Sequence, residues 1–173
     1  MVSTALVMLH AFVPALFAGF VLACVGAGLL LVRAGDRARR ALQVLAVLGG
    51  VAVLALTLTP SSAEPAPAFC AIQWEPFSPG VTGLANMVLF VPLAYFGGLA
   101  TRRPLLVVLG AVALSASIEV VQGAVVPLGR ACDTDDLWSN AVGAAAGGVL
   151  AALALLVALP LRRSGPQAVA GGA

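Results

Sequence analysis

The sequence predicts an all-α integral membrane protein of about five transmembrane helices, and three observations predict it. Of 173 residues, 61% are hydrophobic and only 9% are charged, where soluble domains run nearer 45–50% and about 25%. The apolar residues gather into runs near the roughly 20 residues that carry a helix across about 30 Å of hydrocarbon. Nearly all of the charges fall between these runs. A soluble chain of this size has no core large enough to hide so much apolar surface.

The first run covers residues 5–32, interrupted only by His10, Pro14 and small residues. It lacks the positively charged start of a cleaved signal peptide and is too long for one, so it reads as a retained helix. The second covers residues 41–59. Residues 60–83 follow, with five prolines and the aromatics Phe69, Trp74 and Phe77. Prolines oppose a regular helix and aromatics suit the membrane–water interface, so this stretch reads as a loop resting on the bundle. The third run, 84–100, contains Pro92; the fourth, 105–126, contains Glu119 and Gln122; the fifth, 137–159, is rich in Ala and Gly. Organisation follows as two N-terminal helices (1–59), the Pro/aromatic loop (60–83), a three-helix core (84–159) and a flexible tail (160–173). No internal repeat is visible.

Orientation is read from the arginines. Arg33, Arg37, Arg39, Arg40, Arg102, Arg103, Arg162 and Arg163 share one side if the chain crosses five times. The opposite side holds Arg130 alone. That places the N-terminus outside, the C-terminus and tail inside, and the 60–83 and 127–136 loops outside.

Polar residues concentrate in one stretch, 115–140. Ser115, Glu119 and Gln122 are spaced by four and three, which sets them on one helical stripe. Asp136, Asn140, Gly143 and Gly147 make a second stripe on the fifth helix, and Asn86 lies near the outer end of the third. Glu119 precedes Pro127 by eight residues, about 12 Å at 1.5 Å per residue. The residues therefore point to a polar pocket in the outer half of the bilayer, made of Asn86, Glu119, Gln122, Arg130, Asp133, Asp136 and Asn140. A carboxylate facing lipid costs about 2.5–3.5 kcal/mol even on the lenient insertion scale. Glu119 must face the bundle, either as a binding or proton-handling group with Arg130 nearby, or as a structural tie to Asn86 or Asn140.

The acidic loop also has two readings, since Asp133 or Asp135 could simply cap the fifth helix. It lacks the Gly and terminal Glu of an EF-hand loop, and no metal or other cofactor is expected. Cys70 and Cys132 both fall in outer loops, where a disulfide between them and two separate thiols are both open. Gly143 and Gly147 suit close helix packing, within the chain or between copies. No nucleic-acid motif is present.

These residues resemble the VanZ-like family of bacterial membrane proteins over about residues 73–150. The matching pieces are Pro76-Phe77, Asn86 with Phe90 and Pro92, Ser115 or Ser117 with Ile118-Glu119 and Gln122, and Arg130, Asp133, Asp135-Asp136, Asn140, Gly143 and Gly147. Gln73 departs from the Asn that the family usually carries there. The resemblance implies a multi-pass protein of the bacterial plasma membrane and cell envelope. The family's namesake is associated with low-level resistance to the glycopeptide antibiotic teicoplanin, so the resemblance also raises modulation of glycopeptide susceptibility.

Two classes of function fit. One is an envelope protein whose outward pocket binds a polar headgroup, a lipid-linked envelope precursor or an envelope-directed amphiphile. The alternative is an intramembrane enzyme acting on a lipid-linked envelope intermediate, with Glu119 as general acid or base. Whether any reaction occurs is left open by the residues, because no nucleophile–base pair is evident. Transport is a weaker third, since five helices without a repeat do not make an inverted-repeat carrier.

Overall fold

Hydropathy and length dictate five helices, and five are found. The structure, a computed structural model, describes residues 2–35, 38–60, 70–72 and 80–163. The helices are α1 (Val2–Arg33), α2 (Arg39–Leu58), α3 (Val81–Thr101), α4 (Pro104–Ala124) and α5 (Thr134–Arg163). All five are long and apolar enough to cross a membrane, and the described residues contain no strand, only one isolated bridge. α5 continues through Arg163, past the start of the expected tail. The Gln73 and Pro76-Phe77 positions, the aromatics Phe69 and Trp74, the side chain of His10 and residues 164–173 lie outside the described residues.

Helix ends follow local chemistry. α2 stops at Leu58, just before Pro60, because a proline disfavours helical conformation in the residue ahead of it. α3 ends on Arg102, which takes the left-handed conformation at φ 57°. Pro104 then starts α4 at the first helical position, where its missing N–H is not needed. The resulting turn is tight, so α3 and α4 are antiparallel neighbours. Arg39 Nε donates to the Ala100 carbonyl at 3.2 Å. It thereby satisfies a carbonyl that the end of α3 leaves without an intrahelical partner.

α3 is the centre of the bundle and touches all four other helices, α5 most extensively. Small residues make that closeness feasible. A Cβ built on Gly147 would lie 2.5 Å from the Val91 carbonyl oxygen and 3.1 Å from the Tyr95 nitrogen, and one on Gly143 would run into the Met87 carbonyl. Both glycines are therefore engaged inside the chain, against the backbone of α3. Gly110, on the exposed side of α4, has nothing within 4 Å of its Cβ position. Alanine at the two sites should act with opposite sign. Gly110→Ala should stabilise by about 0.5–1 kcal/mol through helix propensity. Gly143→Ala should destabilise by about 1–3 kcal/mol, because the obstacle is backbone. Thermal unfolding in detergent, followed by circular dichroism, checks both; equal shifts would contradict the tight α3/α5 contact.

The interior has two apolar clusters. One gathers Tyr95, Phe96 and Leu99 with Cys24, Leu42 and Leu155 at the arginine-rich end. The other centres on Val53, Phe90, Ile118 and Ala144. Above the second cluster, at the opposite end, the buried residues become polar.

Candidate functional site

Three helix ends and one loop build this polar end: the starts of α3 and α5, the last turns of α4, and the connection between α4 and α5. Ser115, Glu119 and Gln122 are all buried on one side of α4, as their spacing requires. Glu119 is 5% exposed, and its Oε2 accepts a hydrogen bond from the Asp133 backbone N–H at 2.8 Å. One turn deeper, Asn140 Nδ2 donates to Ser115 Oγ at 2.9 Å. Asn86 Nδ2 donates to Asp136 Oδ1 at 2.6 Å, tying α3 to α5. Each tie joins a different pair of elements. Glu119 is therefore held by neither Asn86 nor Asn140, the two partners that its helix position suggests. It holds the loop backbone.

Asp133 sits immediately before α5, and its Oδ1 accepts the Asp135 N–H at 2.9 Å. That is N-cap geometry, satisfying one of the first donors of the helix. Asp135 and Asp136 occupy the first turn, where the helix dipole favours negative charge. Asp133 thus serves twice: its side chain caps α5 and its N–H is fixed on Glu119.

Arg130 and Gln122 close the end of α2, a role that hydropathy does not reveal. The last four carbonyls of a helix lack intrahelical donors. Here Arg130 Nη2 donates to the Leu56 carbonyl at 3.3 Å and its Nε to the Thr59 carbonyl at 3.0 Å. Gln122 Nε2 donates to the Thr57 carbonyl at 2.8 Å, and the Thr59 hydroxyl bonds the Ala55 carbonyl. The guanidinium also sits at the negative end of the α2 dipole. The Thr-Leu-Thr-Pro ending of α2 is the sequence signal for this terminus; nothing in it names Arg130 as the partner.

The loop is pinned again from the other side. Cys70 and Cys132 form a disulfide with Cα atoms 4.4 Å apart. Beside it, Ala71 N–H donates to the Cys132 carbonyl at 2.8 Å and Thr134 N–H to the Ala71 carbonyl at 3.2 Å, a short parallel bridge. The residue between Cys132 and Thr134 is Asp133, whose N–H meets Glu119. Disulfide, bridge and carboxylate therefore fix three consecutive residues.

Among the described residues, two buried side-chain acceptors remain without a hydrogen-bond partner: Gln122 Oε1 and Asn140 Oδ1, on side chains only 4% and 2% exposed. Gln122 lies one turn above Glu119 on α4, and Asn140 of α5 bonds Ser115 one turn below it, so the two flank Glu119 over a depth of about 10 Å at 1.5 Å per residue. A buried acceptor without a donor costs about 1–3 kcal/mol. Among the described residues, no group of three or more His, Cys, Asp or Glu side chains is placed to hold a metal ion.

The seven predicted residues thus gather at one end of the bundle, through five separate ties: Glu119 with Asp133, Asn86 with Asp136, Asn140 with Ser115, Gln122 with Thr57, and Arg130 with Leu56 and Thr59. The VanZ/LLP1 family pattern covers residues 50–156, well over half of the chain, from the middle of α2 to near the end of α5. No curated protein and no solved structure matches. The matched region contains every residue of the polar end, and the chain is a multi-pass membrane protein belonging to the VanZ/LLP1 family.

Proposed function

We propose that the polar end of this protein is a binding pocket for the headgroup of an envelope amphiphile, on the outer side of the bacterial plasma membrane. The observation that carries the reading is the pair of buried, donorless acceptors, Gln122 Oε1 and Asn140 Oδ1, on either side of the Glu119 carboxylate. Together with Asp136 they make the site rich in acceptors. Its complement is a group rich in donors: hydroxyls, an amide or an ammonium. Arg130, on the rim, supplies a cation for an anionic part of the same ligand. The family's association with glycopeptide resistance agrees with an envelope ligand, and modulation of glycopeptide susceptibility would be one outcome of binding it.

The outward orientation rests on the sequence: eight arginines fall on one side of a chain that crosses five times, against Arg130 on the other. Tags at the two termini test it: the N-terminus should be labelled in intact cells and the C-terminus only after permeabilisation. An externally labelled C-terminus would reverse the pocket.

Mass spectrometry of lipids co-purifying with wild type and with Glu119→Gln tests the ligand. A specific lipid or lipid-linked precursor should be enriched on wild type and reduced at least fivefold on the variant. Identical lipid profiles, with envelope phenotypes unchanged by alanine at Glu119, Arg130 and Asp136 in accumulated protein, would end this reading.

A further inference from the structure

α2 and α3 pack closely on each other, but α1 makes little contact with α2. α1 is pinned at the arginine-rich end. Gly28, lacking a Cβ, leaves room for the Tyr95 phenol, whose hydroxyl donates to the Val25 carbonyl at 2.9 Å. Toward the polar end α1 stands off from α2 and leaves a groove of about 790 Å³. That lies within the ~300–1,000 Å³ of small-molecule sites.

The groove runs along Leu16–Ala27 of α1, Leu45–Leu56 of α2 and Ala85–Phe96 of α3. Each stretch advances about 16 Å at 1.5 Å per residue, which is half of the ~30 Å hydrocarbon core. Leu56 lies in the last turn of α2 and Ala85 close to the start of α3. The groove therefore begins at the polar end and runs past the middle of the bundle to Cys24 and Phe96, which also belong to the cluster at the arginine-rich end. Its length is that of one bilayer leaflet.

Its walls are aliphatic and aromatic, with Asn86 the one amide or charged side chain among them. Asn86 is also the residue bonded to Asp136, so the groove starts where the polar cluster ends. An occupant of this groove must be apolar along about one leaflet and polar only at the end beside Asn86, which is the build of a lipid acyl chain below its headgroup.

We infer that this groove seats one straight acyl chain of a membrane lipid, with the lipid headgroup beside Asn86 and Asp136. The headgroup end rests on the pocket reading above; the acyl seat does not. Phe20, Leu48 and Leu56 line it while still about half exposed. An acyl chain covers that surface without requiring any polar partner.

The test uses full-length protein in phosphatidylethanolamine/phosphatidylglycerol vesicles with trace phosphatidylglycerol carrying a diazirine on one acyl chain. Adducts are mapped by mass spectrometry after irradiation. Labelling of groove residues should exceed that of Leu22 and Val120, exposed outside the groove, at least fivefold. Ala52→Trp and Val88→Trp fill the groove from two different helices, and each should cut its labelling at least fivefold. Val51→Trp, on the exposed face of α2 beside it, should not. Groove labelling no denser than at Leu22 and Val120, or indifferent to both blocking variants, would overturn the inference. A diazirine probe with an ethanolamine headgroup separates the two readings. Equal groove labelling by both headgroups, unmoved by Asn86→Ala and Glu119→Gln, would leave the acyl seat standing and remove the headgroup pocket.

Discussion

Glu119→Ala is expected to lower the unfolding free energy by about 1–3 kcal/mol, and Glu119→Gln by well under 1 kcal/mol. The argument is local. The carboxylate accepts the Asp133 N–H, and alanine would leave that donor orphaned at the first turn of α5. Glutamine keeps a carbonyl oxygen of the same reach and loses only the charge. A charge removed from a buried site can even stabilise, because its desolvation cost goes with it. Denaturant or thermal unfolding in detergent gives the stability of each variant, and the co-purified lipid profile gives the binding readout. Stable Glu119→Gln protein that has lost its lipid would separate the ligand role from the structural one. Equal destabilisation by both substitutions would mean that the charge itself holds the loop.

Membership of the membrane class is legible from the sequence for a simple reason. A helix surrounded by hydrocarbon must be apolar over its whole length, so each of the five helices leaves an uninterrupted signature, with ends displaced by only a few residues. α3 begins at Val81 and not at 84, for instance, because Val81 and Thr82 extend the helix back to Gly80. The stripe of Ser115, Glu119 and Gln122 is legible too, since helical spacing alone places the three together. Pairings between elements are not. Which partner a buried side chain meets depends on helix rotation and on the path of the loops, neither of which spacing encodes. Asn86 and Glu119 illustrate this, the first reaching Asp136 and the second the Asp133 N–H. Arg130 reads naturally as the cation for a nearby carboxylate, yet its Nε and Nη2 close the end of α2. The groove between α1, α2 and α3 leaves no trace in the sequence at all. Lipid-facing and groove-facing residues have the same composition when the solvent is itself hydrocarbon.

The disulfide supplies the second large expectation, because it acts on the same three residues as Glu119. Closing 62 residues corresponds to about 4 kcal/mol in the chain-entropy treatment. That treatment assumes a flexible unfolded chain. Here most of the intervening residues belong to α3 and α4, which stay helical and inserted in a bilayer even when the bundle comes apart, so less entropy is at stake. About 2 kcal/mol is the better expectation for Cys70→Ser with Cys132→Ser, at the low end of the usual range. The local consequence is more specific. Without the bond, the Ala71 bridge is left with two backbone hydrogen bonds, and the Asp133 N–H depends more heavily on Glu119 and the α5 cap. Removing the disulfide and removing the carboxylate should therefore be non-additive. A double-mutant cycle combining the two serine substitutions with Glu119→Ala should show a coupling of about 0.5–2 kcal/mol. The combined loss should be smaller than the sum, because either change alone already loosens the segment that the other holds. Additive losses would mean that the disulfide and Glu119 hold the loop independently, with Asp133 fixed by neither.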